Sequence, residues 1–256
     1  MSPMPSVALA ILAHPDDAEF LAAGTLARLR AECGFEICIA TMTAGDCGSA
    51  EHAPDEIAAI RRAEGAAAAT VIGATYHCLE ILDLRVQYCD AQLEAVCRLL
   101  NAVRPQLVLT HSPDDYHLDH EQTSRLVRAA TFAAPIANFL HRPGHTEPHR
   151  PLDAIPHLYY CDPMEGKDIF GRPIPPAFSI DITATIGAKA EMLARHESQR
   201  AWLRKHHGVD NLVESMREWS RSRGAAVGVE YAEGFRQHLG HSYPQNNRLG
   251  KLLGAH

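Results

Sequence analysis

The sequence lacks the patterns that mark membrane proteins and nucleic-acid-binding proteins. No stretch approaches the roughly 20 apolar residues that a membrane helix needs. The chain of 256 residues has 24 Lys and Arg against 31 Asp and Glu, a net charge of −7. It therefore has no general positive field to hold a phosphate backbone or an anionic lipid surface. We expect a protein that neither inserts into a membrane nor binds nucleic acid.

Cysteine spacing excludes two further classes. The seven cysteines include no C-x-x-C pair, the spacing typical of zinc ribbons, and an odd number fits no closed set of disulfides. They are best interpreted as reduced thiols of a cytoplasmic protein. Pro3 and Pro5 interrupt the N-terminal apolar stretch, which has no basic residues before it, so we expect no signal peptide.

Short apolar segments alternate with segments of helical periodicity along the chain. We predict strands at residues 7–13, 36–43, 75–82, 106–111, 157–161 and 178–182, and helices at 18–32, 54–72, 90–103, 120–133, 183–205 and 211–223. This alternation is typical of an α/β fold with a Rossmann-like, mostly parallel sheet and helices on both faces. No linker divides the chain, so we expect a single domain over 1–256, with a core at about 5–200 and a helical C-terminal extension at about 201–256.

Acidic residues and histidines follow two of the predicted strands. His14, Asp16 and Asp17 come after the first strand, and His117, Asp119 and His120 come after the fourth. These strands are neighbours in the usual doubly wound order, so their loops should face one crevice. Two imidazoles and one carboxylate with an open fourth position are typical of catalytic zinc, and a second carboxylate can act as general base. His111, at the end of the fourth strand, is expected to support these ligands.

Each motif also has a simpler interpretation when it stands alone. A His-Pro-Asp-Asp sequence is often a turn that caps a helix. A His-x-x-His pair on a polar helix face is more often solvated than bound to a metal. The occurrence of both motifs after strands of one predicted sheet is what favours a metal site.

The two motifs together resemble those of a known family. Ala13-His14-Pro15-Asp16-Asp17 after an N-terminal strand, with His117-Leu118-Asp119-His120 about a hundred residues later, looks like the LmbE/PIG-L family of zinc-dependent N-acetylglucosaminyl deacetylases. Secondary matches are Thr43-Ala44-Gly45-Asp46, Arg61 with Glu64, and Gly73. The resemblance covers residues 5 to about 135 well and the rest of the chain loosely.

The resemblance implies a Rossmann-like fold and the hydrolysis of an N-acetyl group, usually on a glucosamine unit. It also implies Zn²⁺ as cofactor, a small amino-sugar substrate, and a homo-oligomer. Carried onto this chain, the zinc ligands would be His14, Asp17 and His120, the general base Asp16, and the electrostatic or acid group His117. Asp119 would keep His117 oriented and charged.

Substrate recognition should depend on the loops at 44–54, 83–90 and 135–177. Asp46 and Arg61 are candidate substrate contacts, although a loop acid and an Arg that pairs with Glu64 are equally expected of a purely structural pair. Trp202 and Trp219 lie in the helical last third and are expected in the core rather than as platforms for sugar.

Two other functions remain open from the residues alone. The same ligands would serve a metal-dependent amidase that cleaves a non-acetyl amide, such as that of a thiol-sugar conjugate. A non-catalytic sugar- or nucleotide-binding α/β domain is the second alternative. Against nucleotide binding, the first strand-to-helix turn has no G-x-G-x-x-G, and its carboxylates would repel phosphate.

Overall fold

The computed structural model describes residues 6–140, 150–207 and 211–256. Seven strands form one sheet in the order β3-β2-β1-β4-β5-β7-β6. The first five strands in this order pair in parallel, and β7 pairs antiparallel with both β5 and β6. The predicted fold class, a mostly parallel α/β sheet with the doubly wound order, is confirmed.

The strands are β1 (Val7–Leu12), β2 (Glu36–Thr43), β3 (Thr75–Ile81), β4 (Leu107–Thr110), β5 (His157–Cys161), β6 (Phe178–Asp181) and β7 (Ala232–Gln237). The helices are α1 (Asp17–Leu21), α2 (Ala23–Cys33), α3 (Pro54–Val71), α4 (Asp90–Val103), α5 (Leu118–Ala133), α6 (Ala137–Leu140), α7 (Ile186–Ala194), α8 (Glu197–His207), α9 (Leu212–Val227) and α10 (Arg248–Leu253). None of the helices in this described part of the chain combines the length and hydropathy required to cross a bilayer.

The core lies on both faces of the sheet because β1 is buried on both sides. Ala8, Ala10 and Leu12 belong to one apolar cluster, whereas Leu9 and Ile11 belong to the other. Alternation of side chains along a strand places these two sets on opposite faces. A continuous apolar run is therefore required here, as expected of a central parallel strand.

The last quarter of the chain differs from the predicted helical extension, because β7 lies within it and between β5 and β6. The sequence of β7, Ala-Glu-Gly-Phe-Arg-Gln, has no apolar run that would predict a strand. Its charged residue Glu233 is nevertheless buried. Two predicted helices are also divided: Ala22 separates α1 from α2, and residues 195–196 separate α7 from α8. Local periodicity does not show these breaks.

A buried ion pair links β7 to α7 and to the start of α2. Lys189 Nζ lies 2.6 Å from Glu233 Oε1, and neither side chain is more than 3% exposed. The same carboxylate accepts the backbone N–H groups of Gly24 and Thr25, at 2.9 and 2.8 Å. These are free donors in the first turn of α2, so Glu233 joins the start of that helix to β7 and α7.

Lys189→Met should lower the free energy of unfolding by about 3–5 kcal/mol, because it leaves the Glu233 carboxylate buried without its cation. Lys251, exposed on α10, provides the matched control, and Lys251→Met should change stability by no more than about 0.5 kcal/mol. Urea unfolding followed by circular dichroism measures both values. Equal unfolding midpoints for the two variants would show that the pair contributes nothing.

Candidate metal and catalytic site

The loops that follow β1 and β4 meet at one edge of the sheet. The two strands pair in parallel, with Ala8 opposite Leu107 and Ile11 opposite Thr110, so their carboxyl ends lie side by side. A cavity of about 360 Å³ opens there, which we call the central cavity. It is lined by His14, Asp16, Asp17, Cys47, Gly48, Arg61, Asp83, Leu84, Tyr116, His117, His120 and Gln199.

Asp17 lies at the centre of a group of imidazole rings. Its Oδ2 is 3.4 Å from His14 Nδ1 and 3.1 Å from His111 Nε2, and its Oδ1 is 3.5 Å from His120 Nε2. Burial alone would raise the pKa of Asp17, but the rings of His120 and His111 hold that pKa well below its usual range. The carboxylate is therefore charged and is surrounded by nitrogen donors.

The neighbours of His14 favour positive charge at this position. Burial would lower its pKa, yet the carboxylates of Asp119 and Asp17 raise it to about 10. The Nε2 atom lies 3.3 Å from Asp119 Oδ2, which leaves Nδ1 directed at Asp17. This is the arrangement in which a carboxylate orients a metal-binding imidazole.

The contacts of Asp119 differ from the sequence-based expectation. Its carboxylate contacts His14 and accepts the Leu84 N–H at 2.7 Å, rather than holding the ring of His117. Only its backbone N–H reaches His117, at Nδ1. Side chains two positions apart at a helix start do not face each other, which explains why Asp119 projects toward the β1 loop instead.

His117 therefore differs from the protonated group that we expected. Its Nδ1 accepts the Asp119 N–H at 3.2 Å, so the ring proton belongs on Nε2. Burial and the neighbouring rings of His14 and His120 lower the pKa of His117. A neutral imidazole that donates from Nε2 is the form the structure favours.

Asp115 orients His120 and was not identified from the sequence. Its Oδ1 lies 3.0 Å from His120 Nδ1, so Nε2 faces Asp17, and its Oδ2 accepts the Met164 N–H at 3.2 Å. Burial would raise the pKa of Asp115, but its hydrogen bond to His120 lowers it. The sequence signal for Asp115 is the pair of acids Asp114-Asp115 before the His-x-x-His motif. Of these two acids, Asp115 is buried and Asp114 is exposed.

Asp16 is held by Arg61 at the start of α1. The guanidinium donates to the Pro15 carbonyl at 2.7 Å and to Asp16 Oδ2 at 3.3 Å. Burial raises the pKa of Asp16, and the charge of Arg61 opposes this rise. Asp16 has a φ of 105°, an unfavourable conformation for a residue with a side chain, and such strain is typical of functional sites.

Arg61 also fixes the loop after β2. A Cβ at Gly45 or Gly48 would lie 2.3 or 2.5 Å from its Nη1, so the guanidinium packs directly on that loop. Arg61 lines the central cavity, but the donors described here go to Pro15 and Asp16. These contacts are of the structural kind, in which Arg61 positions the base loop.

Asp46 lies beside the cavity rather than in its lining. Its Oδ1 accepts the Asp83 N–H at 2.7 Å, and Asp83 Oδ2 accepts the Cys47 N–H at 3.0 Å. The two acids thus join the loop after β2 to the loop after β3. Asp83 is a lining residue that the sequence analysis did not single out, and its other oxygen has no hydrogen-bond partner among the described residues.

The turn between α7 and α8 also reaches the site. His196 Nε2 lies 3.6 Å from Glu19 Oε2, and Gln199 donates to the Gly48 carbonyl at 3.2 Å while lining the cavity. Ser198 binds both oxygens of Glu64 through its N–H and hydroxyl, at 2.7 and 2.6 Å. No sequence signal links these positions to loops more than a hundred residues earlier.

The donors at this edge of the sheet fit a divalent cation. Two groups of three residues could each hold an ion, because within a group one ligand atom per residue lies within 4.8 Å of the others. One group is His14, His117 and His120, and the other is Asp17, His111 and His120. His111 Nε2 lies 3.0 Å from the Ala13 nitrogen and 3.1 Å from Asp17 Oδ2, so this ring nitrogen faces both a donor and a carboxylate. A positive charge beside Asp17 would stabilise such a buried carboxylate. The predicted ligands also lie together, because Asp17 contacts both His14 and His120.

Comparisons with known proteins give a family match for the part of the chain that contains the two loop motifs. Residues 9–131 match the family model described as PIG-L, GlcNAc-PI de-N-acetylase. A 4-oxalmesaconate hydratase of Pseudomonas putida is 28% identical over 174 residues, which are 65% of this chain and 64% of the hydratase. The match therefore spans slightly less than two thirds of that relative.

Two further similarities are to deacetylases. A 1D-myo-inositol 2-acetamido-2-deoxy-alpha-D-glucopyranoside deacetylase of Actinosynnema mirum is 25% identical over 230 residues, covering 75% of this chain and 78% of the relative. The solved N,N'-diacetylchitobiose deacetylase of Pyrococcus horikoshii superposes with a TM-score of 0.75 at 22% identity, covering 94% of this chain and 88% of that one. The match over residues 9–131 and the shared fold confirm the resemblance to the PIG-L (LmbE-like) family that the two loop motifs indicate.

Proposed function

We propose that this protein is a zinc-dependent hydrolase that removes the N-acetyl group from an N-acetylglucosamine-type substrate. The observation that carries the proposal is the position of Asp16. Asp16 lines the same cavity as His14, Asp17 and His120. A base beside a set of nitrogen and oxygen ligands is the arrangement needed for metal-assisted hydrolysis.

His14, Asp17 and His120 would hold the zinc ion, and His117 would remain free to act on the substrate. When bound there, zinc supplies a Lewis acid that polarises the acetyl carbonyl and makes water more acidic. Asp115 and Asp119 orient the two ligand rings, as their hydrogen bonds to His120 and His14 indicate.

The side chains of the chain itself carry the proton transfers. Asp16 takes a proton from the attacking water, and its burial, which raises its pKa, makes it a stronger base. His117 donates a hydrogen bond from Nε2–H to the carbonyl oxygen as negative charge develops there, and it keeps its proton. Asp16 then returns its proton to the departing nitrogen, so water and the amide yield acetate and a free amine.

Hydration is a second candidate because one relative is a hydratase. A base and an activated water could equally add water to a carbon–carbon double bond conjugated to a carbonyl. Cleavage of a non-acetyl amide, as in a thiol-sugar conjugate, also requires the same groups. We favour deacetylation because both the family description and the relative from Actinosynnema mirum name that reaction.

A cytoplasmic location and a homo-oligomeric state stay predictions. All seven cysteines are free, which fits a reducing compartment. Light scattering would measure the oligomeric state.

Acetate release decides between these activities. The zinc-loaded protein should release acetate from N-acetylglucosamine and its β-glycosides, with no turnover by His14→Ala. A panel that includes a thiol-sugar amide and an unsaturated carboxylic acid tests the other activities. Turnover of the acid, or of the thiol-sugar amide, without acetate release from any N-acetyl sugar would overturn the proposal.

Asp16→Asn should lower kcat by about 10²–10⁴-fold, because an amide cannot accept the proton of the attacking water. The zinc content, measured by elemental analysis, should not change, since Asp16 is not a proposed ligand. Asp55→Asn, an exposed acid on α3, is the control and should keep full activity. Near wild-type turnover by zinc-loaded Asp16→Asn would show that Asp16 is not the base.

Asp115→Asn should weaken zinc affinity by about 10–100-fold, because the His120 ring loses the carboxylate that orients it. Competition with a coloured chelator measures this affinity. Asp114→Asn is a closely matched control, because the Asp114 side chain is exposed. This variant should bind zinc with unchanged affinity. Equal affinities for the two variants would contradict the positioning role of Asp115.

A further inference from the structure

A second cavity lies next to α1, separate from the central cavity. It has a volume of about 410 Å³ and is bounded by α1, by the turn Met164–Gly166 and by α9. We call it the Trp219 cavity, and its lining is Phe20, Met164, Glu165, Ser215, Glu218, Trp219 and Ser222. None of these residues lines the central cavity. Its volume falls within the range of small-molecule sites.

Two of the elements that bound the Trp219 cavity, α1 and the turn Met164–Gly166, are hydrogen-bonded to residues of the central site. The Phe20 N–H donates to the Asp16 carbonyl at 2.9 Å. The Met164 N–H donates to Asp115 Oδ2 at 3.2 Å, and Asp115 holds His120. A ligand in this cavity would therefore lie one backbone layer from the proposed base and from one proposed zinc ligand.

Trp219 forms a flat wall of this cavity instead of lying in the core, as we had expected from the sequence. Its indole is partly exposed, and the Arg223 guanidinium lies 4.4 Å from the ring centroid. A Cβ on Gly166 would lie 2.8 Å from Trp219 Cη2, so the glycine allows the ring to pack against this turn. Arg223 covers one face of the indole and fixes the ring in place, so a ligand in the cavity would stack on the opposite face.

The polar groups of the cavity favour a cation with hydroxyl groups. Glu165 and Glu218 supply carboxylates, and Ser215 and Ser222 also belong to the lining. The nearby cation Arg223 is bound to Asp162 Oδ2 at 2.6 Å, and Lys167 lies 3.8 Å from Glu165. Arg223 is thus paired with Asp162, and the residues that line the cavity include two carboxylates and no Lys or Arg.

We propose that the Trp219 cavity binds a sugar unit that carries a free amine. The pyranose ring would lie against the indole, its hydroxyls would bond the serines, and its ammonium group would pair with Glu218 and Glu165. An amino sugar is the product class of the proposed function, on which the choice of ligand rests. The unit belongs either to the same oligosaccharide as the reacting sugar or to a separate molecule.

Tryptophan fluorescence measures this binding without catalysis. Trp202→Phe leaves Trp219 as the remaining one of the two tryptophans, and Asp16→Asn prevents turnover. Titration of this double variant with the glucosamine β-1,4 dimer should change the emission saturably. The N,N'-diacetylated dimer, which lacks the ammonium groups, should bind at least fivefold more weakly.

Variants on α9 assign the binding to the cavity. Glu218→Gln should weaken binding of the glucosamine dimer about fivefold, as expected for one partly exposed ion pair. Glu214→Gln, one turn earlier and outside the lining, should leave it unchanged. Absence of a saturable change, equal binding of the acetylated dimer, or equal binding by Glu218→Gln would each overturn the proposal.

Competition separates the two sources of the ligand in the active, zinc-loaded protein. If one oligosaccharide occupies both cavities, the glucosamine dimer should inhibit acetate release and monomeric glucosamine should bind much more weakly than the dimer. If the ligand is a separate molecule, the monomer should bind as well as the dimer. A chain without deacetylase activity that still binds the dimer through Glu218 would refute the proposed function but not this site.

Discussion

The parallel pairing of β1 with β4 is the constraint on which the site depends. It places the ends of two strands, about a hundred residues apart in sequence, next to each other. Five imidazole or carboxylate groups then converge within hydrogen-bonding distance: those of His14, Asp17, His111, Asp119 and His120. Because each loop is anchored by a buried strand, the convergence is held by the sheet rather than by the groups themselves. A slip of one residue in this pairing would turn every side chain of β1 to the opposite face and separate these groups.

Such a concentration of polar groups is costly unless their charges are matched. Asp17 is charged and faces three imidazoles, while burial and the nearby His120 lower the pKa of His111 to about 4, so this ring stays neutral. His14 meets the opposite influence, since two carboxylates favour its positive form. The site thus has a place for positive charge, which a proton or a divalent cation can fill, and metal binding there would release the proton. If a metal binds there, its affinity would be coupled to the stability of the fold through these residues.

The sequence predicts the parallel half of the sheet and the groups at its edge, because both depend on local signals. Continuous apolar runs mark β1 and β4, and the acids and histidines directly follow them. The roles within the cluster were less accessible: Asp119 orients His14 rather than His117, and Asp115 orients His120, because side-chain direction depends on how α5 meets the β1 loop. The sequence does not predict strand β7, because Glu233 is buried through its pairing with Lys189 of α7 and its hydrogen bonds to Gly24 and Thr25 of α2. Partners distant in sequence leave no trace in a local pattern.

The proposed ligands and the residues that support them come from different parts of the chain. Every proposed ligand and the proposed base lie within residues 9–131, the part that matches the family model. Groups that hold them in place come from later in the chain: Glu233 closes the start of α2, Ser198 holds Glu64 on the helix that carries Arg61, and Met164 bonds Asp115. Chemistry requires particular side chains at particular positions, whereas support requires only that some donor or acceptor arrive from a packed element. The supporting residues are therefore free to differ between proteins of one fold, and with them the shape of the cavities that they enclose.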